Sequence, residues 1–275
     1  MDHATELIIE AGHTERNYWR DLFRYRELFY FLAWRDVLVR YKQTVIGILW
    51  AVLRPLLTMA VFTFVFSRIA KLPAEGVPYP VMVFAAMLPW QLFATSLSEG
   101  SSSLIGNANL ISKVYFPRLI VPASAVIVSF VDFAISMVLL GLLMAFYRVW
   151  PGWPILMLPV FTALALLASA GAGIWLAALN VKYRDFRYVV PFIVQFGLYL
   201  SPVGFTSNIV PQQWRLLYSL NPMVGVIDGF RWSVSGARTA FPFQSLEVAL
   251  VTSLIVLATG IWYFRKTERT FADVI

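Results

Sequence analysis

Few residues in this chain are of a type and spacing that could do chemistry. The only histidines are His3 and His13, both in a polar N-terminal tail, and there is no cysteine. No catalytic constellation appears, and disulfides and thiolate metal sites have no candidates. No glycine-rich loop ends in Gly-Lys-Ser or Gly-Lys-Thr, so the chain shows no phosphate cradle of its own. What remains is binding chemistry. Arg16, Arg20 and Arg24 recur every four residues, a basic stripe suited to an anionic headgroup. Phe192, Phe196 and Tyr199 recur at +4 and +3, with Gln195 beside them. Aromatic faces stack on sugar C–H surfaces and tolerate sliding, although core packing or lipid contact is the commoner fate of such a stripe. The segment Asn107–Arg118 gathers Leu110, Ile111, Val114, Tyr115 and Phe116 beside Lys113. It reads as a short helix, capped by Asn107 or Asn109 and stopped at Pro117, for a groove on a partner or for resting on lipid.

The elements that must position these groups follow from composition. Of 275 residues, 59% are hydrophobic and 13% charged, against about a quarter charged in soluble domains. Mean hydropathy is +0.71. This is a membrane composition, and the net charge of +7 reads as a topology signal rather than a nucleic-acid footprint. The first 30 residues hold several acids and no apolar run, so insertion is expected to rely on internal helices rather than on a cleaved signal.

The expected fold is an all-α integral membrane domain of six transmembrane helices. The spans are predicted near 44–67, 79–98, 119–147, 154–180, 188–205 and 246–264, each close to the roughly 20 residues a bilayer needs. Residues 1–16 form a polar tail, 17–43 an amphipathic interface helix, 44–264 the six-helix domain, and 265–275 a second tail. Leu22, Tyr25, Phe29 and Leu32 give the interface helix its apolar face. Gln43–Gly47 is the expected elbow between this helix and the first span. Short apolar pieces at Trp214–Leu220 and Pro222–Trp232 cannot span and are expected to be re-entrant. With the N-terminus inside, the inner segments carry fifteen Lys and Arg and the outer loops six, which places both termini in the cytoplasm. Arg54 and Asp132 are the charges expected inside spans. Arg54 can snorkel or face a cavity, and a lone mid-span acid such as Asp132 reads as a hydrogen-bonded structural group. Ala165, Ser169, Gly173 and Ala177 recur by four and predict close helix approach. Arg184 and Asp185, among Tyr183, Phe186 and Tyr188, form either a membrane anchor or a second partner contact.

Five stretches in order resemble the permease subunit of ABC-2-type polysaccharide exporters. They are LAWRDVLVRYKQTVIGILWAVLRPL (Leu32–Leu56), NANLISKVYFPRLIVP (Asn107–Pro122), LNVKYRDFRYVVPF (Leu179–Phe192), SPVGF (Ser201–Phe205) and LNPMVGVIDGFRW (Leu220–Trp232). The resemblance covers nearly the whole chain after about Asn17. It implies six spans, a homodimer, and two copies of a cytoplasmic ATPase subunit that carries ATP and Mg. It implies a channel lined by spans one and five, and short periplasmic helices. The cargo would be a glycan on undecaprenyl pyrophosphate: O-antigen, capsule or teichoic acid. On this basis the channel candidates are Trp50, Arg54, Phe62, Phe66, Phe192, Phe196 and Tyr199. The candidate interface gate is Arg16, Arg20, Arg24, Trp34, Arg35, Arg40 and Lys42. ATPase docking falls to Asn107, Leu110, Lys113, Tyr115, Phe116, Arg118, Arg184 and Asp185, and the periplasmic gate to Trp214, Pro222 and Trp232. The chain itself is expected to be no enzyme. Rival expectations are an exporter of a smaller lipid or drug, an ion-coupled secondary transporter, which needs several intramembrane carboxylates, and a non-transporting scaffold.

Overall fold

A computed structural model describes residues 18–42, 47–73 and 76–271. Arg16, the expected N-terminal tail and most of the expected elbow at Gln43–Gly47 lie outside those residues. The helices are α1 (Tyr18–Arg24), α2 (Arg26–Lys42), α3 (Gly47–Phe62, continued by a π-helical turn Thr63–Ile69), α4 (Tyr79–Gly106), α5 (Ala108–Lys113), α6 (Ile120–Phe146), α7 (Leu158–Lys182), α8 (Phe186–Leu200), α9 (Gln212–Ser219), α10 (Pro222–Val234) and α11 (Phe243–Thr267). Among the described residues, five stretches are long and apolar enough to cross a membrane: Val52–Ile69, Tyr79–Gly106, Ile120–Phe146, Trp153–Lys182 and Phe243–Thr270.

The fifth expected span departs from 188–205. Helix α8 has 15 residues, about 22 Å at 1.5 Å per residue, against a hydrocarbon core of about 30 Å. Ser201 is extended, and Pro202 cannot continue the helix ladder. The next residues, Ser201–Thr206, run non-helically and mostly buried.

Helix α4 is the centre of the bundle and packs against α3, α6, α7, α8 and α10. It is apolar on every side through its first half, so protein must surround it. Its second half, LSEGSSSLIG, does not leave the helix at Ser98, where the predicted span ends, but stays helical to Gly106. The hydroxyls explain this. Ser98 donates to the Ala94 carbonyl at 2.8 Å, Ser101 to Ser98 at 2.9 Å and Ser103 to Gly100 at 2.7 Å, so the polar run satisfies itself along its own ladder. The small-residue ridge of α7 performs as predicted. Ala165, Ser169, Gly173 and Ala177 are all buried. A Cβ on Gly173 would sit 3.9 Å from the Gly100 Cα of α4, and Asn180 donates to the Ser101 carbonyl at 3.0 Å across the same interface.

Two apolar cores stack along the bundle. One joins α4, α7 and α10 through Phe84, Phe161 and Phe230. The other, at the end bearing the first and last described residues, joins Tyr18, Leu32, Leu104, Ile111, Phe116, Phe264 and Phe271. Leu22, Tyr25 and Phe29 pack against this second core. The apolar face of α1–α2 is therefore covered by the chain itself, and its outward face carries Trp19, Phe23, Tyr30 and Trp34 with Arg20 and Arg24.

Candidate functional site

Helix α8 carries apolar side chains on both its faces. Val190 is its one buried residue, packed with Leu97 of α4 and Leu176 of α7. Gly197 lets α8 lie against Trp90 of α4, where a Cβ would come within 2.6 Å of the indole ring. This docking turns the opposite face outward. Phe192 is 57% exposed, with Phe196 and Tyr199 similarly open, and the Phe192 and Phe196 rings lie 4.1 Å apart. The predicted aromatic stripe is thus a continuous outward surface.

Helix α3 presents a second outward row, Trp50, Leu53, Leu57, Val61 and Phe64. Arg54 is also exposed. Here the expected lining needs correction. Phe62 and Phe66 turn inward against the α4–α7–α10 core. Phe62 stands about 120° around the helix from Trp50, turned toward the protein. The Phe66 ring fills the space beside Gly204, where any Cβ would overlap it. Phe64 is the outward aromatic that the sequence reading missed, and its +7 spacing from Leu57 was the available signal.

The segment after α8 is held by side chains. Arg231 of α10 is only 5% exposed, and its guanidinium donates to the carbonyls of Phe205 at 2.6 Å and Val203 at 2.9 Å. The Tyr79 hydroxyl donates to the Gly204 carbonyl. Asn221 caps α10 by accepting from the Met223 N–H at 3.0 Å and donates to the Ser201 hydroxyl at 2.9 Å, with Pro222 at the first helical position. Backbone freed by a broken helix in a low-dielectric interior needs such partners. Arg231 counts only as an outer charge in the sequence. An arginine three residues after Asp228 in the mostly apolar run PMVGVIDGFRW was the signal. Of the expected gate residues, Trp214 is exposed and Pro222 half-buried. Trp232 is a core residue, edge-on to Trp153 at 5.5 Å and to Phe241 at 4.8 Å, so it cannot swing as a gate.

At the terminal end the docking set divides. Lys113, Tyr115, Arg184 and Asp185 are exposed, and Leu110 and Asn107 half-buried. Phe116 is 3% exposed and belongs to the core. It cannot enter a partner's groove, because the extended backbone at Val114 turns it inward. Asn107 stands at the N-cap position of α5 but makes no cap. It donates to the Ser103 carbonyl at 2.9 Å and accepts from Arg35 at 2.9 Å. Arg118 is committed to Glu268, with its N–H donating to that carboxylate at 2.8 Å and its guanidinium to the Glu268 carbonyl. The Tyr18 hydroxyl reaches the same carboxylate at 3.3 Å. Burial, and next the charge of Glu268, push the Tyr18 hydroxyl's pKa far up, so it stays a donor. The sequence reading missed Glu268, although an acid among Arg265, Lys266 and Arg269 invites pairing.

The interface set also divides. Arg20, Arg24, Trp34 and Lys42 are exposed. Arg35 and Arg40 are committed to the protein. Arg35 pairs with Asp36 at 2.7 Å. Arg40 pairs with Asp132 of α6 at 2.7 Å and with Glu99 of α4 at 3.4 Å, and the Tyr41 hydroxyl donates to Asp132. The partners of α2 thus climb α4 from Asn107 to Glu99, so this helix rises along the bundle rather than lying across its end.

The family model described as "ABC-2 type transporter" matches residues 27–234. Among curated proteins, the O-antigen export system permease protein RfbA of Myxococcus xanthus is 31% identical over 261 residues, 93% of this chain and 98% of that protein. The protein of the same name from Klebsiella pneumoniae is 25% identical, over 88% of this chain and 92% of its own length. The capsule polysaccharide export inner-membrane protein CtrC of Neisseria meningitidis is 23% identical, over 84% and 87%. A match across three quarters of the chain, on a bundle of apolar helices that carries these motifs in order, makes the chain a member of the ABC-2 type transporter family of membrane permeases.

Proposed function

We propose that the chain is the channel-forming permease subunit of an ATP-driven exporter of lipid-linked polysaccharide, with O-antigen as the cargo. The observation that carries this is the outward aromatic face of α8, Phe192, Phe196 and Tyr199, in a chain that resembles export permeases named for O-antigen and capsule. A sliding polymer needs many weak, equivalent contacts. Ring faces supply these without the grip of charge. In this reading α8 and its non-helical extension act as the fifth of six spans, and α9–α10 as a re-entrant pair. Two copies of the chain face each other across α3 and α8, and the glycan on undecaprenyl pyrophosphate passes between them. The terminal end faces the cytoplasm of a bacterial inner membrane, a reading that the distribution of basic residues supports. Arg20 and Arg24 meet the pyrophosphate there. Two ATPase subunits, which hold ATP and Mg, press on the α5 segment, and the Arg35–Asn107 bond passes that movement to α2.

Replacing Phe192, Phe196 and Tyr199 together with Ala is expected to cut surface glycan at least tenfold and to leave lipid-linked glycan inside the cell. Co-purification of the ATPase should be unchanged. Equal loss of both would make the stripe structural, and normal surface glycan in a deletion strain would reject polysaccharide export. The docking assignment is checked separately. Tyr115→Asp, at a side chain 44% exposed, is expected to weaken ATPase capture with little change in thermal stability. Phe116→Asp places a carboxylate in the core and should prevent folding.

A further inference from the structure

Beside α9 and α10, at the end opposite the termini, lies a cavity of about 300 Å³, at the lower bound of small-molecule sites. Tyr218 and Asp228 line it, with Gln244 and the rings of Phe241 and Phe243. The Tyr218 hydroxyl is buried and makes no hydrogen bond among the described residues. A buried hydroxyl left without a partner is costly in a folded interior, and a ligand oxygen would supply the missing bond. Burial first, and Asp228 second, hold this phenol protonated, so it is a donor.

The cavity's chemistry selects among ligands. Two arginines border it, yet both guanidiniums are bound to backbone. Arg215 donates to the carbonyls of Val210 at 3.1 Å and Asn208 at 3.3 Å, and Arg231 to those of Val203 and Phe205. The carboxylate of Asp228 opposes an anion. A phenol donor, a carboxylate acceptor and an amide that does both suit the vicinal hydroxyls of a sugar, and the Phe241 and Phe243 rings, 4.5 Å apart, suit its C–H face.

We infer that this cavity is a binding site for one neutral glycosyl unit, which Tyr218 and Asp228 hold by its hydroxyls. The inference rests on the polysaccharide-export reading, and it places a holding point at the far end of the bundle, where a glycan emerging between two subunits would meet α9 and α10. Such a point would oppose back-sliding between strokes.

The test is saturation-transfer difference NMR on the purified full-length protein, with methyl glycosides of glucose, galactose, mannose and rhamnose as probes. Transfer to the ring protons of at least one glycoside is expected. Tyr218→Phe should weaken it roughly fivefold, the size of one net hydrogen bond. Thermal stability should not fall, because among the described residues the hydroxyl has no hydrogen-bond partner. Ala240→Trp, which fills the cavity, should abolish the transfer. Absence of transfer for every glycoside, or transfer that neither variant alters, overturns the site. Surface glycan reports on export independently. A deletion strain with normal surface glycan would reject the export reading, while the glycoside titration would still decide the cavity.

Discussion

Arg231→Met is expected to be the most damaging single substitution outside the packed apolar core. The guanidinium donates to two carbonyls, that of Val203 in a buried contact and that of Phe205 in a half-buried one. Removing it leaves both unpaired at about 1–3 kcal/mol each, so roughly 2–6 kcal/mol in all. For a domain of this size that is a fall of roughly 10 °C in the midpoint of thermal unfolding, readable by fluorescence-detected gel filtration of detergent-solubilised protein. Arg231→Lys should recover only part of it, since an ammonium lacks the planar fork that reaches two carbonyls. Tyr79→Phe removes one bond to the same segment, at Gly204, and should cost about 1 kcal/mol. The three variants therefore grade the clamp. Because the clamp fixes where α8 ends, Arg231→Lys protein that does fold should export poorly. An unchanged midpoint for Arg231→Met would mean that the Ser201–Thr206 backbone finds other partners.

That clamp also shows what could and could not be seen in the sequence. Hydropathy located the long helices, because an apolar run of bilayer length suits little besides a membrane span. The α7 ridge was legible for a similar reason: Ala165, Ser169, Gly173 and Ala177 share one face whatever the helix meets. Helix ends were harder. Ser98 looked like an exit because polarity rises there, yet the hydroxyls of Ser98, Ser101 and Ser103 find acceptors on their own helix, which runs to Gly106. The fifth span was overestimated because hydropathy continues through Ser201–Phe205, while the helical backbone does not. Candidate residues were correctly expected at the surface at Phe192 and Tyr115. They were misassigned where composition alone was used, as at Phe62, Phe66, Phe116 and Trp232. An aromatic side chain suits a core, a lumen or a partner equally well, and helical phase against neighbours decides among them. Partnerships over long sequence separations, Arg231 with Phe205, Arg118 with Glu268 and Arg40 with Asp132, have no local signature.

The last of these pairs decides between coupling and structure. Asp132 lies near the middle of α6, where an acid is a functional candidate by default. It is met there by the Arg40 guanidinium at 2.7 Å and by the Tyr41 hydroxyl. Both come from α2, so the acid ties α2 to the bundle. Asp132→Leu is expected to destabilise by about 1–3 kcal/mol. That is less than the roughly 3–5 kcal/mol for breaking a fully buried pair, since the Arg40 and Asp132 side chains keep 36% and 23% of their area accessible. The double variant Arg40→Met with Asp132→Leu should recover most of that loss, because the uncompensated charge is gone, and the coupling energy of the cycle measures the tie directly. In a permease driven by a partner ATPase the double variant should also retain most export. An ion-coupled transporter makes the opposite prediction. There, Asp132→Asn keeps a neutral hydrogen-bonding group beside Tyr41 and preserves folding, yet abolishes transport, and the apolar double variant is folded but inactive. Thermal midpoints and surface glycan measured on the same three strains separate the two. Because Arg40 also touches Glu99, Glu99→Gln should change stability by well under about 1 kcal/mol, as expected for a pair that remains half in water. The larger coupling must lie with Asp132 if α2 is held where the pairing places it.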